Sequence, residues 1–383
     1  MKVLITTDLY NVSTNGVVTS VRNLMEELEA KGHEVRVLTF SEDRDSYKEQ
    51  NVYYIKSVSI DFVYPDVRMP ISYRNWLVDE LIEWKPDVIH SQCEFFSYQF
   101  AQRIARKTGA PLVHTYHTLY EDYVGYVVPS ERIGKRAVRK LSRMRLKKSA
   151  KVIAPTNKVQ NILRSYGMKN DICVVPSGLD LKKYDCQMSK EERLAKRKAL
   201  EIPEESKVLL NLGRLGTEKN VEELIELFAE AYKENDKLTF LIVGDGPAKD
   251  DLEEKAKKLG VENQMIFTGM IPSNLVREYY QLADVFVSAS TSETQGLTYI
   301  EAAANGLPLL CRKDDCLDGV IEDSKNGYQY TSKEEFLEKL QLITSDSEWC
   351  KQAGERSREI AEGFDKRNFG EQIENIYKDV AFC

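Results

Sequence analysis

The chain has 383 residues, 42% apolar and 30% charged, with a formal net charge of −7. This composition excludes a disordered chain, and no apolar run approaches the ~18 residues needed to cross a bilayer. Seven cysteines, an odd number with no C-x-x-C pair, exclude a disulfide frame or thiolate zinc site and imply reduced thiols in a cytoplasmic protein, while four histidines leave little for a His-based metal centre.

In chain order, residues 2–6 read as an apolar strand. The acid at Asp8 fits a strand end and not a secretory leader. A helix over 17–31 ends at Gly32, and strands follow at 34–40 and 52–56. A helical stretch at 76–84, a strand at 87–90, a helix at 98–108 and a strand at 112–115 continue the alternation. Strands at 151–154 and 172–175 complete a first sheet. The pattern restarts with a strand at 208–213, a helix at 221–234, and a strand at 238–243 ended by Gly244-Asp245-Gly246-Pro247. Helices at 248–259, 273–282 and 297–304 then alternate with strands at 265–268, 285–288 and 307–311. Short apolar runs between longer amphipathic helices are the signature of a parallel sheet covered on both faces.

The expected architecture is therefore α/β, with two Rossmann-like doubly wound parallel-sheet domains facing a cleft. The first spans 1–178 and the second 179–363, and 364–383 reads as a last helix with no partner strand. The break lies near 176–203, where the polar stretch 182–198 intervenes. Charge divides along the same line. Residues 1–180 hold 26 Lys and Arg against 21 Asp and Glu, a balance of +5, and residues 181–383 hold 28 against 40, a balance of −12. The basic half points to an anionic surface or ligand, or to nothing more than ordinary solvated faces.

In open parallel sheets ligands bind beyond the carboxyl ends of the strands, so the strand-end loops carry the candidates. Gly16 precedes the first helix, where a missing side chain lets a ligand approach the helix amides. It is also what a plain turn glycine looks like. In the second half, Gly213 is followed by Arg214 and Lys219 in a loop leading to a helix, an arrangement suited to a diphosphate or simply two solvated cations. The segment Ser288-Ala289-Ser290-Thr291-Ser292-Glu293-Thr294-Gln295-Gly296-Leu297 leads from a strand into a helix that carries Glu301. Glu293 and Glu301 can meet different parts of one extended ligand, since carboxylates accept from vicinal sugar hydroxyls. Within the first half, after the strand at 112–115, residues 132–151 hold ten Lys or Arg and no acid, and Ile133, Ala137, Leu141 and Met144 repeat at helical spacing. A basic amphipathic helix is a membrane-surface element in one reading. In the other it is a helix packed on the sheet by that stripe with its charges outward. The two are compatible if the stripe faces the core and the charges face lipid. No nucleic-acid recognition motif accompanies the helix.

A glycine loop after the first strand, G-R-x4-K after the break and then Glu-x7-Glu: in this order the chain resembles the family-four retaining glycosyltransferases of the GT-B fold, over essentially its full length. The resemblance implies that the last helix, 364–383, returns to the first domain, and that Arg214 and Lys219 hold a donor diphosphate. It implies that Glu301 binds the nucleotide ribose, and that Glu293, with the loop Thr294, Gln295, Gly296 and Leu297, meets the donor sugar. It also assigns His117, at the end of the strand 112–115, to the donor sugar. His114, inside that strand, reads as a packed histidine. Where many members have Gly-Gly in the first loop, this chain has Asn15-Gly16. The phrases YHTLYEDY, TSETQGLTYIEA and DDCLDGVI look like the diacylglycerol glucosyltransferase branch. That implies UDP-glucose as donor substrate, no metal or other cofactor, and a diacylglycerol acceptor in an anionic membrane reached through the helix 132–151. It also implies a peripheral place on the inner face of the plasma membrane. Tyr120, Tyr123, Tyr126, Val127 and Val128 are candidates to meet an acyl chain. Alternatives of different class are a soluble sugar or small-alcohol acceptor, a same-fold nucleotide-sugar epimerase, and a non-catalytic binding module.

Overall fold

The structure is a computed structural model that describes residues 1–10, 15–42, 45–60, 67–121, 124 and 130–381. The chain divides into two compact units, Met1–Leu179 with Lys366–Cys383, and Asp180–Asp365.

The first unit runs β1 (Lys2–Thr6), α1 (Gly16–Ala30), β2 (Glu34–Ser41), β3 (Tyr47–Glu49), β4 (Val52–Ser59), β5 (Arg68–Pro70), α2 (Trp76–Trp84), β6 (Val88–Ser91), α3 (Phe96–Thr108), β7 (Leu112–Thr115), α4 (Glu131–Leu146), β8 (Lys151–Ala154), α5 (Asn157–Ser165) and β9 (Ile172–Val174). Its sheet has the order β3-β4-β2-β1-β6-β7-β8-β9, parallel except for β3, and β5 pairs antiparallel on β4. The period of two along β1 sorts its side chains. Leu4 points to the face packed by α2, α3 and α5, whereas Val3 and Ile5 point to the face packed by α1. Both faces are covered, which is why β1 and β6 read as continuous apolar runs.

The second unit begins with α6 (Lys190–Ala199), followed by β10 (Lys207–Leu212), α7 (Val221–Glu234), β11 (Leu238–Val243), α8 (Lys249–Leu259), β12 (Met265–Phe267), α9 (Val276–Leu282), β13 (Val285–Ser288), α10 (Leu297–Ala304), β14 (Leu309–Arg312), β15 (Gly327–Tyr330), α11 (Lys333–Ser345) and α12 (Ser347–Glu362). Its parallel sheet has the order β12-β11-β10-β13-β14-β15. The order reverses at β10, where the chain leaves for β13 on its other side, so the loops after β10 and β13 lie at the switch point. The polar stretch at the break is largely helix. Ser189 and Glu192 form a capping box at the start of α6, and Arg193 and Arg197 pair with Asp284 at 3.0 and 2.8 Å, tying α6 to the second unit.

The last helix, α13 (Lys366–Ala381), belongs to the first unit. Phe369, Ile373, Ile376 and Tyr377 are buried in the core between α1 and the sheet, each such side chain stabilising the fold by about 1.5–3 kcal/mol. Polar ties fix its register. Glu374 pairs with Lys31 at 3.1 Å, and the Tyr377 hydroxyl meets His90 Nδ1 at 2.6 Å.

Candidate active site

In the second unit two glycine-bearing loops close on each other. A Cβ on Gly244 would lie 1.9 Å from the Gly213 carbonyl oxygen, and one on Gly246 would lie 2.4 Å from that of Leu215. Both glycines also have positive φ, so no other residue fits there without strain. The Leu215 N–H donates to the Asp245 carbonyl at 2.9 Å, locking the loop after β10 to the loop after β11. A single 3-10 turn, Thr217–Lys219, then delivers the chain into α7.

This loop holds Arg214 and Lys219, and each has a carboxylate partner. Arg214 pairs with Glu218, whose side chain is almost fully buried. Lys219 Nζ lies 2.5 Å from Glu293 Oε1, which brings together two residues 74 apart in sequence. The Ser292 hydroxyl donates to the Glu218 carbonyl at 3.1 Å, so the loops after β10 and β13 form one surface. Gly296 has φ +73° and turns the chain into α10, and a Cβ there would strike the Tyr299 ring at 2.3 Å. Thr294 and Leu297 are partly buried, and Gln295 is buried. Glu301, one turn into α10, is held by a different set of groups. Its Oε2 accepts from the Tyr280 hydroxyl at 2.8 Å. Burial raises its pKa, against the hydroxyls of Tyr280 and Tyr184, which favour the ionised form.

The strand ends of the first unit carry a different chemistry. His117 Nε2 lies 2.7 Å from Gln92 Oε1, so the imidazole N–H donates to the amide oxygen. Burial, followed by the neighbouring His114, pushes the His117 pKa down to about 3, and the ring is neutral at physiological pH. His114 is fully buried, with Nε2 3.0 Å from Glu94 Oε1, and Tyr120 donates to the other Glu94 oxygen. Asp8 caps α3 from outside the helix, accepting from the Ser97 N–H at 2.7 Å, and burial lifts its pKa to about 6. Gly16 is the first residue of α1. The cap is Asn15, whose Oδ1 accepts from the Val17 N–H at 2.8 Å. The expectation that Gly16 leaves the helix amides open is therefore corrected for Val17, whose N–H the preceding asparagine occupies.

A second correction concerns the basic helix. α4 does not bury the stripe of Ile133, Ala137, Leu141 and Met144. Ile133 and Met144 are 65% and 60% exposed, and α4 is buried through Gly134, Ser142 and Leu146 instead. Small and hydroxyl-bearing side chains let α4 seat closely there, and the Ser142 hydroxyl meets that of Tyr116 at 3.2 Å. Apolar stripe and cations both face outward. Of the candidate acyl-contact residues, Tyr120 is partly buried, whereas Tyr123, Tyr126, Val127 and Val128 lie outside the described residues. Among the described residues no group of three or more His, Cys, Asp or Glu is placed to hold a metal ion, and no helix is long and apolar enough to cross a membrane.

The structure brings Arg214, Lys219 and Glu293 to one surface and places Glu301 on the helix that follows. The residues that sequence reasoning missed are partners: Glu218 of Arg214, Tyr280 of Glu301, Gln92 of His117 and Glu94 of His114. Gln92 and Glu94 lie within three residues of the end of β6, where the strand-end rule would have flagged them.

The family description "Glycosyltransferase Family 4" matches residues 14–183, and "Glycosyl transferases group 1" matches residues 192–360. The chain is 35% identical to the alpha-monoglucosyldiacylglycerol synthase of Streptococcus pneumoniae over 99% of its length and 86% of the relative's. It is 31% identical to the enzyme of that name from Acholeplasma laidlawii, covering 99% of this chain and 97% of that one. Among solved structures, Anabaena HepE in complex with UDP and glucose superposes with a TM-score of 0.78 at 17% identity, over 99% of both chains. WaaG, a glycosyltransferase of lipopolysaccharide biosynthesis, gives a TM-score of 0.73 at 20% identity, over 98% of this chain and 99% of that one. Two parallel-sheet units of this topology are those of the GT-B fold, and the chain belongs to the family 4 glycosyltransferases.

Proposed function

We propose that this glycosyltransferase moves an α-glucosyl unit from UDP-glucose to the 3-hydroxyl of 1,2-diacylglycerol, with retention, at the cytoplasmic face of the membrane. The observation that carries the reading is the joined surface of Arg214, Lys219 and Glu293 after β10 and β13. It occurs in a chain whose full-length relatives are named for glucosyldiacylglycerol synthesis. HepE, which shares the fold, was solved holding UDP-glucose, and this supports the choice of donor.

In this mechanism the bond from the sugar C1 to the phosphate oxygen breaks as negative charge collects on the leaving diphosphate. Arg214 and Lys219 meet that charge, stabilising it more in the transition state than in the ground state. They supply the positive charge that a divalent ion supplies in other transferases, so no metal is required. Release of Lys219 from Glu293 frees that carboxylate to accept from the sugar hydroxyls. Glu301, oriented by Tyr280, accepts from the ribose diol. His117 serves as a neutral hydrogen-bond partner of the sugar. The acceptor oxygen bonds to C1 on the face the phosphate leaves, and its proton passes to a phosphate oxygen, giving UDP and α-glucosyl diacylglycerol. The outward stripe and cations of α4 suit a peripheral contact with anionic lipid, where a diacylglycerol resides.

The test is mass analysis of lipid products after mixing the protein with diacylglycerol vesicles and a panel of nucleotide sugars, followed by assignment of the anomer by NMR. A single α-linked hexose formed from UDP-glucose is expected. A β-linked product, or products only from soluble acceptors, would overturn the reading.

A further inference from the structure

Seven large apolar residues of the first unit are exposed among those described, and they fall on two segments only. Ile133, Leu141 and Met144 lie on α4. Val58, Met69, Ile71 and Trp76 lie on the β4–β5 hairpin and the start of α2. Two members of the second group meet across the ladder. Val58 and Met69 are direct partners in the antiparallel β4–β5 pair, and Ile71 follows one residue after β5. Trp76 opens α2 and is 60% exposed, whereas Trp84, at the other end of the same helix, is buried.

The hairpin segment is tied to the ground on which α4 stands. The Arg103 guanidinium of α3 donates to the Tyr73 carbonyl at 2.8 Å, and the Tyr73 ring packs on Phe100 with centroids 4.8 Å apart. From the other side, the Arg145 guanidinium of α4 donates to the Phe95 carbonyl at 3.2 Å, directly before α3. The start and middle of α3 thus touch α4 on one side and the loop leading into α2 on the other. Charge agrees as well. Arg68 and Arg74 lie in the segment that carries Met69, Ile71 and Trp76, with the exposed Asp79 one turn past Trp76, and α4 carries exposed Arg132, Arg136, Lys140 and Arg143. A tryptophan and aliphatic side chains beside cations match the boundary between acyl chains and anionic headgroups.

We infer that the patch of Val58, Met69, Ile71 and Trp76 is a second membrane anchor, which inserts into the interfacial layer of an anionic bilayer beside α4. This rests on the lipid acceptor proposed above. α4 contributes mainly charge and is salt-sensitive. The hairpin patch contributes burial of apolar area and is not. Two such signals together give firmer, still reversible attachment than either alone.

The experiment uses the full chain and vesicles of phosphatidylglycerol and phosphatidylcholine, without diacylglycerol. Bromine on the acyl chains should quench Trp76 fluorescence, and Trp76→Phe should remove that quenching. The double variant Ile71→Ser/Trp76→Ser should bind vesicles at least about tenfold more weakly, with a loss that persists in high salt. Its turnover of a short-chain, water-soluble diacylglycerol should stay at the level of the parent. Trp76 emission that bromolipid leaves unquenched, while charge reversal in α4 still abolishes vesicle binding, would overturn the second anchor and leave the lipid acceptor intact. Emission that shifts with protein concentration in the absence of vesicles would assign the patch to a protein contact and overturn it equally. Absence of activity on any diacylglycerol, with quenching retained, would fault the acceptor and not the anchor.

Discussion

The strand-end loops of the two units solve opposite problems. In the second unit the loops after β10 and β13 keep full charges within reach of one another, Arg214 with Glu218 and Lys219 with Glu293, both pairs partly buried. In the first unit the polar groups at the strand ends sit where burial disfavours charge, with the pKa of His117 pushed down to about 3 and that of Asp8 pushed up to about 6. The second unit keeps its ions paired at the loop surface, whereas the first holds a neutral imidazole and a carboxyl that burial makes easier to protonate. The contrast shows how two similar sheets diverge: topology places the loops, and desolvation sets how readily the groups on them carry charge.

The largest expected effect falls on the charged surface. Lys219→Ala should lower kcat by about 10²- to 10³-fold with the fold retained by circular dichroism, and near-normal turnover would remove Lys219 from the reaction. Next comes the loop packing that presents it. Gly244→Ala places a methyl against the Gly213 carbonyl and should destabilise the second unit by about 3 kcal/mol in urea unfolding, so an unchanged midpoint would contradict the close approach. Glu293→Gln sharpens the comparison in the other direction. By releasing Lys219 it should tighten UDP binding about fivefold in calorimetry while turnover falls, whereas weaker UDP binding would mean that the pair does not compete with the ligand. At His117 the effect is one of pH. The unfolded imidazole titrates near ~6.5 and the folded His117 near about 3, so between these values acid protonates only the unfolded chain. Stability should therefore fall as pH drops through that window, and His117→Asn should flatten the slope; an unaltered slope would place the loss elsewhere. The smallest effect belongs to α4. Ile133→Ser and Met144→Ser should each shift stability by less than about 0.5 kcal/mol, and a loss of 2 kcal/mol would show that the stripe is packed.

Much of this was legible in the sequence. The alternation of apolar runs and helices located β1, β6, β10, β11 and β13 closely, because strands buried on both faces need unbroken apolar stretches. Edge elements escaped it. β3 and β5 are only three residues long, too short for an alternating pattern to mark them. α6 hid inside a polar stretch because arginines binding Asp284 anchor it, not an apolar face. The positions of Arg214, Lys219, Glu293 and Glu301 follow from strand-end logic, but their partners do not. Lys219 meets Glu293 only because β10 and β13 are neighbours in the sheet. The stripe on α4 misled for the opposite reason. Helical periodicity identifies an apolar face without saying whether protein covers it, and α4 seats on small residues instead.

The claim that Arg214 and Lys219 form a diphosphate grip is tested most directly by calorimetric affinities for UDP and UMP, measured on the parent chain and on Lys219→Ala. The account predicts that the parent prefers UDP over UMP by about 100-fold, roughly 2.7 kcal/mol, and that the variant loses most of that preference while retaining its affinity for UMP. An equal preference in both proteins would contradict it.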